Sequence, residues 1–228
     1  MKKRTVFSTL VITVNITILF LWMFCFRSQF MLGSMLIILS TVLLCLAGFE
    51  AGKPKLRDIV LSAVMIAVAV AGRVIFYPVP QFKPMSAVII VTGICLGPDV
   101  GFLVGASSAF LSNMVFTQGV WTPFQMIAFG TIGFVSGLFR DSEKITKRPY
   151  LCTFGFIAGC FIYGLLVEGS TLIFLDEGSS LMSILAVYAR AVPANIMHGI
   201  STAVFLWIFG PSMIGKLKRV ISKYGIGY

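Results

Sequence analysis

Long uncharged apolar runs, separated by short polar or turn-forming breaks, organise this chain. Residues 6–26 and 30–49 are two such runs, joined by a turn around Arg27, and residues 50–58 (EAGKPKLRD) close the pair. A third run, 59–77, carries one charge, Arg73, near its far end, and Pro78, Pro80 and Pro84 then break the chain into a loop. Residues 85–96 form a short fourth run, stopped by Gly97-Pro98-Asp99. Residues 100–139 hold no charge, and the turn-like segment 117–123 (TQGVWTP) divides them into two helices. After a hydrophilic loop at 140–149 comes a seventh run, 150–175, with Glu168 inside it. Residues 176–180 are a loop, and 181–190 fit a short surface helix. Pro193 suits the first turn of a new helix, which puts the eighth run at 191–209. A bilayer crossing takes roughly 20 residues, so the pattern predicts an all-α polytopic membrane protein with eight transmembrane helices.

Composition narrows the function. Of the 228 residues 58% are apolar and only 11% charged, against about a quarter charged in a soluble domain. Eight crossings leave under about 70 residues outside the bilayer, so a soluble motor domain has no room here. Position explains the net charge of +10: with both termini cytoplasmic, 14 of the 18 Lys and Arg fall on the cytoplasmic side, as the positive-inside rule requires. Arg27, Arg73, Lys83 and Arg190 remain on the other side. That distribution speaks for topology and against nucleic acid. The MKKRT start has the shape of a signal peptide. The run behind it is long enough to span and no small-x-small cleavage site follows, so it is expected to be retained. None of the five cysteines is spaced as CxxC, which argues against a metal site or disulfide framework.

Several motifs have a functional and a plain reading. Ala63, Ala67 and Ala71 place a small residue at every fourth position of the third run, which admits the close approach of another helix, from a partner or from this chain. Gly93, Gly97, Gly101 and Gly105 share that period, but Pro98-Asp99 splits them between two helices, so the period reads as accidental. Gly133 with Gly137, and Gly155 with Gly159, read as internal packing. GPSMIGKL at 210–217 lacks the Ser or Thr that a P-loop needs after its lysine. More informative is a polar set at the non-cytoplasmic ends of the runs: Arg73, Tyr77, Gln81, Lys83, Asn113, Gln118, Trp121, Gln125, Glu168, Arg190, Asn195 and His198. Polar groups at membrane depth are costly and usually face a cavity or partner. Interfacial anchoring accounts for Lys83, Trp121 and Tyr77 but poorly for Asn113, Gln125 and Asn195, which favour a ligand cavity. His198 is the sole histidine and no HExxH or GxSxG occurs, so hydrolase chemistry finds little support. A proton-coupled carrier or intramembrane enzyme using Glu168 and His198 stays as an alternative.

The order of AxxxA helix, proline-rich loop RVIFYPVPQFKP, GPDVGFLVG and GVWTPFQM across residues 57–211 resembles the substrate-binding S-components of energy-coupling factor (ECF) vitamin transporters, most closely the cobalamin-type members. The resemblance implies a six-helix substrate-binding core at 51–228 behind an added two-helix hairpin at 1–50. It implies a non-catalytic cell-membrane subunit, with no permanently bound cofactor or metal, that binds cobalamin or a related corrinoid as transported substrate. Another vitamin or a queuosine-type precursor is the alternative. It implies docking through Ala63, Ala67 and Ala71 on a transmembrane coupling protein that carries two cytoplasmic ATPases. Arg73, Tyr77, Phe82, Asn113, Trp121, Gln125, Arg190, Asn195 and His198 are the substrate-binding candidates.

Overall fold

The computed structural model describes residues 56–174 and 180–225 and, before them, only Thr13, Val14, Thr17 and Leu39. The hairpin expected at 1–50 lies outside the described residues. Among these, the regular elements are all helical: α1 (Leu56–Ile75), α2 (Met85–Leu96), α3 (Pro98–Phe116), α4 (Trp121–Leu138), a 3₁₀ turn (Lys144–Thr146), α5 (Arg148–Ile157), a π-helical segment (Ala158–Tyr163), α6 (Gly164–Phe174) and α7 (Leu181–Tyr224). Four stretches, Leu56–Ile75, Pro98–Phe116, Arg148–Leu172 and Leu181–Tyr224, are long and apolar enough to cross a bilayer. The chain is a multi-pass, all-helical membrane protein.

At the centre is α2, whose residues are all buried. Its 12 residues rise only about 18 Å. Neighbours cover it on every side, so its length is not set by the bilayer. It ends at Gly97, whose φ of 96° and ψ of 173° lie where only glycine is at ease. Pro98 then opens α3 at a position where its missing N–H costs nothing. This corner folds α3 back along α4, and the two meet backbone to backbone. A Cβ on Gly133 would stand 2.0 Å from the Gly101 carbonyl oxygen, and one on Gly105 2.2 Å from that of Phe129. A Cβ on Gly93 would likewise meet the Gly133 oxygen at 2.3 Å. The Gly93–Gly105 period is therefore not accidental: its residues do sit on two helices, but Gly93, Gly101 and Gly105 all face α4. Gly137 packs on Pro98, Gly155 on Leu206, and Gly159 on Gly199, as the internal-packing reading expected.

In α1 only Asp58, Ser62, Met65 and Ala69 are buried, a narrow stripe at helical spacing. The opposite face, with Ala63, Ala67 and Ala71, is exposed. Asp58 in the first turn and Arg73 in the last both suit the helix dipole.

Two expected boundaries move. The break at 117–123 shrinks to Thr117–Val120, because α4 accommodates Pro123 in its first turn. The surface helix at 181–190 and the span at 191–209 are one 44-residue helix, α7, with Pro193 and Pro211 inside it. An internal proline removes one backbone hydrogen bond and costs about 3 kcal/mol. The stretch has no glycine or second breaker until Gly199, and packing on both sides of Pro193 holds the helix together. GPSMIGKL lies wholly within α7, which has no phosphate-binding loop there.

Candidate functional site

Six segments bring polar side chains to one end of the bundle. Arg73, in the last turn of α1, donates to the Ser112 hydroxyl and, at 2.9 Å, to Asn113 Oδ1, both near the end of α3. Asn113 in turn donates through Nδ2 to Thr122 Oγ1 at 3.1 Å and Gln125 Oε1 at 2.9 Å, in the first turns of α4. Gln125 Nε2 donates to the Tyr163 hydroxyl at 3.3 Å, at the end of the π segment. Tyr163 stacks on the His198 imidazole of α7 with ring centroids 4.2 Å apart and 19° between planes. His198 Nε2 lies 2.9 Å from Ser86 Oγ, at the start of α2, and the backbone of Gln81 in the α1–α2 loop also reaches the imidazole. The result is a continuous polar seam through a molecule otherwise made of apolar contacts.

Local structure explains this convergence. Apolar packing fixes the helices; Arg73, Ser86, Ser112, Asn113, Thr122 and Gln125 lie near helix ends, where α1 to α4 turn over within a few residues of one another, while Tyr163 and His198 come from within their helices. In the π segment an extra residue per turn alters the angular register along the rod from α5 to α6, and its last residue is Tyr163. Aromatic rings line the seam. Phe129 packs at 4.9 Å from Tyr163 and 6.2 Å from His198. At the Arg73 end the guanidinium lies 5.2 Å from the Phe116 centroid, and Tyr77 stacks on that ring at 4.7 Å. The α1–α2 loop is tied down by Ser201 Oγ donating to the Lys83 carbonyl at 3.1 Å.

Of the candidate residues, Arg73, Asn113, Gln125 and His198 are joined in this seam, with Tyr77 beside it. Phe82 belongs to a neighbouring aromatic cluster with Phe76 and Phe205. Trp121 folds against Gly119, Asn195 packs on Gly164, and Arg190 is exposed; these three take no part in the hydrogen-bonded chain. Glu168 accepts from Thr171 Oγ1 at 3.1 Å and feels the charge of Arg190. No hydrogen bond joins it to His198, so no ready-made relay links the two groups. Among the described residues no three His, Cys, Asp or Glu side chains gather as a metal site.

The sequence reading passes over Ser86, Ser112, Thr122 and Tyr163. Tyr163 carried a signal, since its hydroxyl lies in mid-run as the Asn113 amide does. The small hydroxyls carried none, because they can be satisfied by their own helix backbone.

A concavity of about 310 Å³, apart from the seam, is apolar and lies between α1, α2 and α7, lined by Val68, Ala71, Ile75, Val91, Phe209 and Met213 among others. One end is closed by Phe76 and Phe82 on Phe205. Beyond the other, Arg57 Nη1 donates to the Tyr224 carbonyl at 2.7 Å.

Comparison with known proteins adds the following. Residues 53–213 match the family described as "ECF-type riboflavin transporter, S component". Curated relatives include UPF0397 proteins of Streptococcus pneumoniae serotype 19F (strain G54), strain 70585 and strain Hungary19A-6. Each is 26% identical over 136 residues, covering 56% of this chain and 71% of the relative. No solved structure matches the chain.

Proposed function

Because this chain belongs to the family of ECF-type riboflavin transporter S components, we propose that it captures a vitamin at the polar seam and delivers it through an energy-coupling module supplied by partners. The carrying observation is the seam itself. Asn113 and Gln125 offer carboxamide donors and acceptors, and Tyr163, His198 and Phe129 offer ring faces, all at one end of the bundle. A planar heteroaromatic ring with an amide or imide edge suits that combination. The family's description favours a flavin. The corrinoid expected from the sequence is the competing ligand, because its many amides would also suit Asn and Gln. Its bulk counts against it, since it would have to displace more of the seam's mutual contacts than a flavin would.

The exposed stripe of Ala63, Ala67 and Ala71 supports docking on a transmembrane coupling protein, with hydrolysis of ATP carried out by that protein's two ATPases. Small residues let a partner helix approach closely. Within the described residues these three alanines are exposed, so internal packing does not use them. The excess of Lys and Arg just before α1, between α4 and α5 and in the last turns of α7 supports both termini being cytoplasmic.

The test is a titration of the purified full chain, without ATP or partners, with riboflavin and with cobalamin. Saturable quenching of flavin fluorescence is expected. Heat with cobalamin and no response to riboflavin would reinstate the corrinoid. Uptake that survives loss of the ATPases but is abolished by His198→Ala would replace the subunit reading with the stand-alone carrier.

A further inference from the structure

Two cationic side chains are drawn to the seam, and among the described residues no carboxylate is hydrogen-bonded to either. Arg73 finds only neutral acceptors, the Ser112 hydroxyl and the Asn113 carboxamide oxygen, and the face of Phe116. Lys83, in the α1–α2 loop, stands close enough for its charge to act on both Arg73 and His198. Burial holds its ammonium below the ordinary lysine value, and the charge of Arg73 pushes the same way. Of the acids among the described residues, four lie elsewhere. Asp58 and Asp99 are in the first turns of α1 and α3, at the opposite ends of those helices from Arg73 and Asn113. Asp141 and Glu143 follow α4. Glu168 lies near enough for its charge to act on Tyr163, but its carboxylate is held by Thr171 and offset by Arg190.

Withdrawing a cation from water without an opposite charge is unfavourable, and placing a second beside it adds repulsion. Neutral hydrogen bonds offset only part of this. The pattern is that of a site completed by an incoming negative charge, and a guanidinium makes its strongest bonds to phosphate and carboxylate oxygens. We propose that the seam recognises an anionic form of its ligand, a phosphate monoester or carboxylate, held by Arg73 and Lys83 while the ligand's ring system lies toward Tyr163 and His198.

This inference rests on the vitamin-binding reading above and deepens it. Arg73 and His198 stand at opposite ends of the seam, with Asn113, Gln125 and Tyr163 between them, so the anion is expected to be remote from the ring. Riboflavin 5′-phosphate has that layout. When its phosphate engages Arg73, Asn113 Oδ1 is released from the guanidinium and becomes available to the ligand's own donors.

The experiment is a pair of fluorescence-quenching titrations, riboflavin against riboflavin 5′-phosphate, on the full chain in nanodiscs. It is repeated for Arg73→Lys, Arg73→Gln and Lys83→Gln. The wild-type protein is expected to prefer the phosphate ester by roughly tenfold or more. Arg73→Lys, which keeps the charge and loses the guanidinium fork, should keep part of that ratio, and Arg73→Gln should bring it to about one. Lys83→Gln, a substitution in a partly exposed loop that the fold tolerates, should lower the ratio part of the way. Equal or tighter binding of riboflavin by the wild type, or a ratio that Arg73→Gln leaves unchanged, overturns the anion site and leaves the flavin reading standing. Binding of neither flavin, with binding of cobalamin, overturns both.

Discussion

Asn113 is the residue on which the seam most depends. It is fully buried, accepts from Arg73 and donates to both Thr122 and Gln125. Asn113→Leu keeps the size and leaves three partners unsatisfied, so a loss of about 2 kcal/mol is expected. It would be read as a lowered Tm together with at least about tenfold weaker binding of the vitamin. His198→Phe separates two roles, since it keeps a ring against Tyr163 and abolishes the contact with Ser86. Binding about tenfold weaker is expected from the lost hydrogen bonding; unchanged binding would assign His198 to packing. These side chains were legible because an amide or imidazole inside an apolar run needs a reason to be there. Trp121, Arg190 and Asn195 passed the same filter and face elsewhere. Hydropathy reports depth along the membrane normal, while membership of the seam depends on rotation about each helix axis.

At the level of elements, the α3–α4 contact and the exposed face of α1 make opposite demands on small residues. Gly133→Val would drive a side chain into the Gly101 carbonyl, with a loss of about 3 kcal/mol or a failure to fold expected. Gly215→Ala is the control: nothing lies within 4 Å of its added methyl, and Tm should hold or rise slightly, since alanine suits a helix better. Ala67→Trp, on the exposed face, is expected to leave binding by the isolated protein intact and to stop uptake by the assembled transporter; normal uptake would remove the stripe from docking. Nothing in residues 150–175 announces a π segment, whose extra residue is stabilised by neighbours rather than by local propensity.

Over the described residues, α1, α3, α4, α5 and α7 close around α2, and α7, roughly 66 Å long, outruns the bilayer thickness and reaches back to Arg57 through its last turn. On the proposed reading the chain supplies the site and its partners the motor. Accordingly, binding is expected without ATP, and uptake only when a coupling protein and its ATPases are co-expressed. The sequence by itself determined the helical class, the membrane setting, the depth of the polar groups and the position of the alanine stripe. Each of these is a sum over a window of about 20 residues, and such a sum does not depend on what the window later touches. Tertiary structure alone decided that Pro193 does not end a helix, that Gly93, Gly101 and Gly105 serve one interface across two helices, and that four of nine candidate residues join Tyr163, Ser86, Ser112 and Thr122 in one seam. Those outcomes turn on azimuth and on neighbours distant in the chain, where packing energy outweighs local preference.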